Sequence, residues 1–337
     1  MTNEMKYFSG TGSKQVIALA VLLAISNLNG KAQVQTDKSE NTSPVRAVKL
    51  SVLVLDASRH AVNDVTQDEL RVVEDDVEQK VTFFTKERMP LSYGLVVDTS
   101  GSLRSMFQVV VATGRKIVSD SMPEDEGFVM RFVSSENIDI VQDFTSNKAA
   151  LDRSLNELYS EGGQTALIDA VFVAALHMAK VRKESSDKSR NRVLFLISDG
   201  EDRESTSKAE TLFEYLRKTD IQIYVIGLVS ELNNDRELSI PKKLTRSASI
   251  DLLNRLANET GGRAFFLDSP ARYSDAVIDI LRDMRSRYTI GYSPAPNRKS
   301  KAYRSVKVKV ESKNGAEKRI VVTRPGYVAT NNERKSP

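Results

Sequence analysis

A chain of 337 residues, 40% hydrophobic and 28% charged, is long enough for two compact units and has a globular rather than a disordered composition. It contains no cysteine, which excludes disulfides, thiolate zinc sites and a cysteine nucleophile. The net charge of +4 is small, and basic and acidic residues intermingle outside Arg298–Arg319, so no nucleic-acid partner is expected.

The elements begin with an export signal. Lys6 and Lys14 precede the apolar run Val16–Ile25, and small residues follow at Gly30 and Ala32. This pattern predicts a signal peptide over 1–32, cleaved after Ala32, and hence a periplasmic, cell-surface or secreted protein. A membrane span needs roughly 20 apolar residues, so an uncleaved anchor is the lesser reading and the only expected membrane contact. Residues 33–44 are polar and read as a flexible linker.

An N-terminal β segment is expected over 45–89. Val48–Leu55 alternates as a strand, and Leu70–Val73 with Gln79–Phe84 reads as a hairpin with an acidic tip at Glu74-Asp-Asp76. From Leu91 strands and helices alternate. The expected strands are Leu91–Val97, Phe128–Val133, Ile138–Val141, Arg192–Ile197, Ile221–Gly227 and Arg263–Leu267. The helices are one from Leu103 to Val118, then Lys148–Tyr159, Ala166–Arg182, Lys208–Lys218, Ile250–Thr260 and Tyr273–Arg287. Repeated β–α units require a mainly parallel sheet with helices on both faces, here over 90–287. The polar stretch Glu231–Ser247 reads as an inserted loop. Strands return over 288–328, where Ser305–Glu311 and Arg319–Thr323 flank Asn314-Gly315, a hairpin signal. The two terminal β segments are expected to pack together as one small β-sandwich, with a disordered tail over 329–337.

Two strands of the α/β part end in polar loops, Asp98-Thr-Ser100-Gly-Ser102 and Asp199-Gly-Glu201-Asp202. A third loop, Glu161-Gly-Gly-Gln-Thr165, ends in a hydroxyl just ahead of a helix. In an open α/β sheet such loops meet where strand order reverses. Carboxylate and hydroxyl oxygens are hard donors suited to Mg²⁺, Mn²⁺ or Ca²⁺. Asp98, Ser100, Ser102, Thr165 and Asp199 supply two charges and three neutral hydroxyls. Such a set leaves a coordination position for water or for an incoming carboxylate.

These three loops resemble the metal-ion-dependent adhesion site of von Willebrand factor A domains. The resemblance covers roughly residues 90–287 and implies a doubly wound, Rossmann-like sheet of order 3-2-1-4-5-6 with one antiparallel edge strand. It implies that Ser100, Ser102 and Thr165 ligate directly, with Asp98 and Asp199 acting directly or through water. The partner it implies is a protein presenting an acidic side chain. Glu74-Asp-Asp76 and the closing Arg324-Pro-Gly-Tyr327 extend the likeness to the VWFA-related proteins of Acidobacteria.

Other readings compete. Asp98 or Ser100 could cap the helix that follows, although capping accounts for neither Thr165 nor Asp199. Glu201 and Asp202 read as solvated loop charges or as supports behind the ligands, and Gly163 as such a support, rather than as ligands. No Gly-x-Ser-x-Gly elbow accompanies Ser100, and His60 and His177 read as structural, so no catalytic residue and no enzyme is expected. The alternatives are a structural component of the cell envelope working through its β-sandwich and, further off, a metal-assisted hydrolase.

Overall fold

The computed structural model describes residues 47–86, 88–184, 190–228, 242–266, 272–294, 303–311 and 318–329. The expected signal peptide, the linker and the Asn314-Gly315 turn lie outside the described residues, as does the tail apart from Ala329.

The chain opens with β1 (Val48–Leu55), β2 (Leu70–Glu74), β3 (Val77–Gln79) and β4 (Val81–Thr85). It continues through β5 (Leu91–Asp98), a 3-10 segment Gly101–Met106, α1 (Phe107–Asp120), β6 (Glu126–Phe132) and β7 (Ile138–Thr145). Next come α2 (Lys148–Asn156), α3 (Leu167–Glu184), β8 (Asn191–Ser198), α4 (Ala209–Leu216) and β9 (Gln222–Gly227). The α/β part closes with α5 (Lys242–Thr260), β10 (Ala264–Phe266) and α6 (Tyr273–Arg285). The last strands are β11 (Tyr288–Tyr292), β12 (Tyr303–Val310), β13 (Ile320–Val322) and β14 (Gly326–Val328).

The central sheet has the order β10-β9-β8-β5-β6-β7, with only β7 antiparallel to its neighbour. Counted within the α/β part this is 3-2-1-4-5-6, the order that the resemblance implies. Alternation along β5 explains the two-sided burial. Leu95 and Val97 pack with Val110, Ile117, Leu151 and Ile280 of α1, α2 and α6. Val96 faces the other way, into the cluster holding Met130, Val171, Leu212 and Leu253. Every residue of β5 is buried, as a strand covered on both faces requires.

The terminal strands form two further sheets, β13-β1-β11-β4 and β14-β12-β2-β3. Between them lies an apolar core that includes Leu50, Val52, Val72, Ile290, Val306 and Val308. Glu74, fully buried, joins both sheets: it accepts from Tyr292 Oη at 2.6 Å and Tyr327 Oη at 3.0 Å, and pairs with Arg304 Nη1 at 2.9 Å. The acidic motif near the start of the chain and the tyrosine of its closing motif therefore meet in one buried network.

Several expectations change. The acidic tip joins β2 to β3, with Asp75 and Asp76 at φ 46° and 64°, but the chain then crosses at Lys80 to the other sheet. Gln79–Phe84 is therefore two short strands rather than one hairpin arm. The Asn-Gly hairpin is absent among the described residues: β12 pairs with β2 and β14, and β13 with β1. The helix expected from Ile250 begins at Lys242, so Lys242–Ser247 is helical rather than loop. The helix expected from Leu103 opens with a 3-10 segment, and α1 proper begins at Phe107.

Candidate metal centre

Strands β5 and β8 are parallel neighbours in register, Val97 opposite Ile197, and both end at the same rim. The chain leaves β5 toward β6 on one side and returns to β8 on the other, so the gap between them is the switch point of the sheet. Asp98, Ser100 and Asp199 are fully buried there, and Thr165 is nearly so.

The first loop is turned inward by its own backbone. Asp98 Oδ1 accepts from the Ser100 amide at 3.0 Å, and the Ser100 and Ser102 hydroxyls lie 3.0 Å apart. Ser100 stands at the N-cap of the 3-10 segment but makes no side-chain capping bond, so capping does not explain its hydroxyl. The Thr99 amide and hydroxyl both donate to Phe132 O, at 3.0 and 3.2 Å, which ties the loop to β6.

The second loop repeats the device: Asp199 Oδ1 accepts from the Glu201 amide at 3.0 Å. Its Oδ2 is buried and has no hydrogen-bond partner among the described residues. Ser198, which the sequence reading passed over, donates to Asp98 Oδ2 at 2.6 Å and accepts from the Gly200 amide at 3.0 Å. A lone polar residue closing an apolar strand was the signal that marked it.

The third loop is held from both sides. The Glu161 amide donates to Thr99 O at 2.8 Å, and Thr165 O accepts from the amides of Arg203 and Glu204 at 2.8 and 3.1 Å. Of the two glycines, Gly163 is the constrained one. Its φ is 156°, and a Cβ there would lie 2.5 Å from Val133, whereas one on Gly162 would meet nothing. Glu201 is buried and pairs with Arg203 at 2.7 Å, while Asp202 turns away to the amide of Ile168 at 3.2 Å.

Two buried carboxyls, Asp98 and Asp199, dominate the electrostatics of this rim. Burial, and then the Asp199 charge, push the Asp98 carboxyl up to about 7, against the hydrogen bonds from Ser100 and Ser198. Burial also raises the Asp199 carboxyl, while the Glu201 amide and the nearby Ser102 hydroxyl pull it down. Two buried carboxylates, one with an orphaned oxygen, beside the paired Ser100 and Ser102 hydroxyls fit a hard divalent ion. No cluster of three or more His, Cys, Asp or Glu side chains that could hold a metal exists among the described residues, so any metal here depends on the hydroxyls.

The histidines stand apart from this rim. His60 lies in the turn at Asp56. His177 on α3 contacts Asp143 at 2.9 Å and stacks on Phe144.

The fold is that of an α/β domain with polar loops gathered at the switch point of its sheet, and comparison with known proteins shows which domain it carries. The von Willebrand factor type A domain model matches residues 94–201, and the chain carries that domain. A segment of 177 residues, 51% of this chain, is 27% identical to the β′ subunit of a DNA-directed RNA polymerase from Clostridium tetani (strain Massachusetts / E88). The chain spans only 15% of that protein's length. Among solved structures, an aerotolerance-related membrane protein from Bacteroides fragilis NCTC 9343 is 17% identical with a TM-score of 0.44. That match covers 58% of this chain and 98% of the other. The conserved hypothetical protein BatB from Bacteroides thetaiotaomicron is 16% identical with a TM-score of 0.41, covering 57% and 98%.

Proposed function

We propose that this chain is an exported protein-binding module whose von Willebrand factor type A domain captures an acidic side chain of a partner protein through a divalent cation. The observation that carries the reading is the buried, unpartnered Oδ2 of Asp199 beside Asp98 and the paired Ser100 and Ser102 hydroxyls. Asp98, Ser100, Ser102, Thr165 and Asp199 would hold Mg²⁺, Mn²⁺ or Ca²⁺. When bound, the ion supplies an open coordination position to which a carboxylate of the partner adds.

The residues support binding rather than turnover. Asp98 is engaged by Ser100 and Ser198, and the two histidines of the chain make their contacts elsewhere. The apolar run Val16–Ile25 supports export. Among the described residues, no helix is long and apolar enough to cross a membrane.

The test is calorimetric titration of the full chain with Mg²⁺ and Mn²⁺, followed by capture of envelope proteins with Mg²⁺ or with EDTA. Metal binding lost in Asp98→Ala, together with EDTA-sensitive capture, is the expected result. Capture that is indifferent to EDTA would overturn the mechanism.

A further inference from the structure

The cross-connection behind the ligands is more elaborate than either loop needs for its own folding. Thr165 precedes α3 by two residues, and the segment after Asp199 runs alongside, bonded to Thr165 O through the amides of Arg203 and Glu204. Two carboxylates then cross between the segments in opposite senses.

From the Asp199 side, Asp202 Oδ1 accepts from the Ile168 amide at 3.2 Å and from the Ser205 hydroxyl at 2.5 Å. Ser205 Oγ in turn accepts from the Asp169 amide at 3.1 Å. From the α3 side, Asp169 Oδ2 accepts from the Thr206 amide at 2.7 Å, and Oδ1 from the Ser207 amide at 2.9 Å. The Ser135 hydroxyl, from the β6–β7 turn, lies 2.7 Å from Asp169 Oδ2.

First-turn amides of a helix lack intrahelical partners and are usually satisfied by a residue just ahead of the helix. Here the acceptors come from residues 34 and 36 positions away. One such acceptor would satisfy an amide of α3. A reciprocal pair does more, because it fixes the offset between two chain segments along and across their direction.

We propose that Asp169 and Asp202 are positioning residues that hold Thr165 in register with Asp199 and thereby set the affinity of the site for its divalent cation. The proposal rests on the metal-site reading above. Groups that orient metal ligands typically change affinity by about 10–100-fold when removed.

The test uses the full chain and Mn²⁺ alone, titrated into wild type, Asp169→Asn, Asp202→Asn, the milder Ser205→Ala, and Asp98→Ala. Amide hydrogen exchange without metal and thermal melting accompany each titration. Both Asn variants should bind Mn²⁺ about 10–100-fold more weakly while still melting cooperatively. The increase in exchange should be greatest in the segments around Thr165–Asp169 and Glu201–Ser207, and Ser205→Ala should shift both readouts less, in the same direction. Wild-type affinity in both Asn variants would overturn the brace and leave the metal site standing. A wild type that binds no better than Asp98→Ala would overturn the metal reading and the brace with it. Weakened binding with exchange raised equally in every segment would reduce both residues to general stabilisers and refute a positioning role.

Discussion

Ser198 donates a 2.6 Å hydrogen bond to Oδ2 of Asp98, joining residues 100 positions apart at the ends of two adjacent parallel strands. The bond pulls the Asp98 carboxyl down against its burial. Ser198→Ala leaves that oxygen without its donor inside the sheet, at an expected cost of about 1.5–3 kcal/mol. Urea unfolding measures it, and Ser198→Thr, which keeps the hydroxyl, should retain most of the stability. An alanine variant as stable as wild type would show that the bond is idle.

Asp98→Asn separates the cost of the site from its use. The neutral amide removes one of two coupled buried charges. Without metal at pH 8 the variant should melt above wild type, by about 2–4 °C per kcal/mol relieved in a domain of this size. Added Mn²⁺ should raise the melting temperature of wild type alone. A lower metal-free melting temperature in the variant would contradict the repulsion between Asp98 and Asp199.

Asp169 makes the fold acid-sensitive. Burial opposes its ionisation, but hydrogen bonds from Ser207, Ser135 and Thr206 outweigh that and hold its carboxyl well below the usual range. The unfolded chain, with an Asp pKa of about 3.9, therefore binds the proton more readily, and stability rises with pH in the acid range. The contribution is complete above about pH 5 and is lost as pH falls toward the folded value. Urea midpoints of Asp169→Asn should lie below wild type at neutral pH and approach it in acid. Parallel curves for the two proteins would rule this assignment out.

Gly200 sets the turn that aims Asp199. Its φ is 84°, and a Cβ there would lie 2.7 Å from Leu253 Cδ1 and 3.0 Å from Ser249 O. Gly200→Ala should destabilise by about 1–3 kcal/mol through backbone strain and overpacking. It should also weaken Mn²⁺ binding by calorimetry; an unchanged affinity would mean that the turn does not aim the carboxylate.

Glu74 ties the two sheets of the sandwich together. Glu74→Ala leaves the largely buried Arg304 without its partner, which typically costs about 3–5 kcal/mol. Loss of the cooperative unfolding transition, followed by tyrosine fluorescence, would register it. A cost below about 1 kcal/mol would show that solvent reaches the pair.

The central sheet was legible because Leu91–Val97, Arg192–Ile197 and Ile221–Gly227 are apolar runs that only a doubly covered parallel sheet can bury. Two of the three loops stood out for the same reason, as polar breaks directly after Val97 and Ile197, and the third as a glycine-rich stretch ending in a hydroxyl ahead of a helix. The hairpin readings failed where local signals were sound but long-range pairing placed the strands beside other partners. Asn314-Gly315 favours a turn, yet β12 aligns five residues with β2 and β13 aligns with β1. Gln79–Phe84 alternates as one strand, but the positive φ of Asp75 and Asp76 and the crossing at Lys80 divide it between two sheets.

By itself, then, the sequence determined the alternation of elements, the strand order carried by the resemblance, and the chemistry of the loops, because hydrophobic period and donor type are local properties. Tertiary structure alone decided that Ser198 serves Asp98, that Asp169 and Asp202 brace Thr165 against Asp199, and that Glu74 meets Tyr327. Each of these contacts depends on which distant segments the sheets make neighbours, and hydrogen bonds of 2.6–3.2 Å form only after that choice is made.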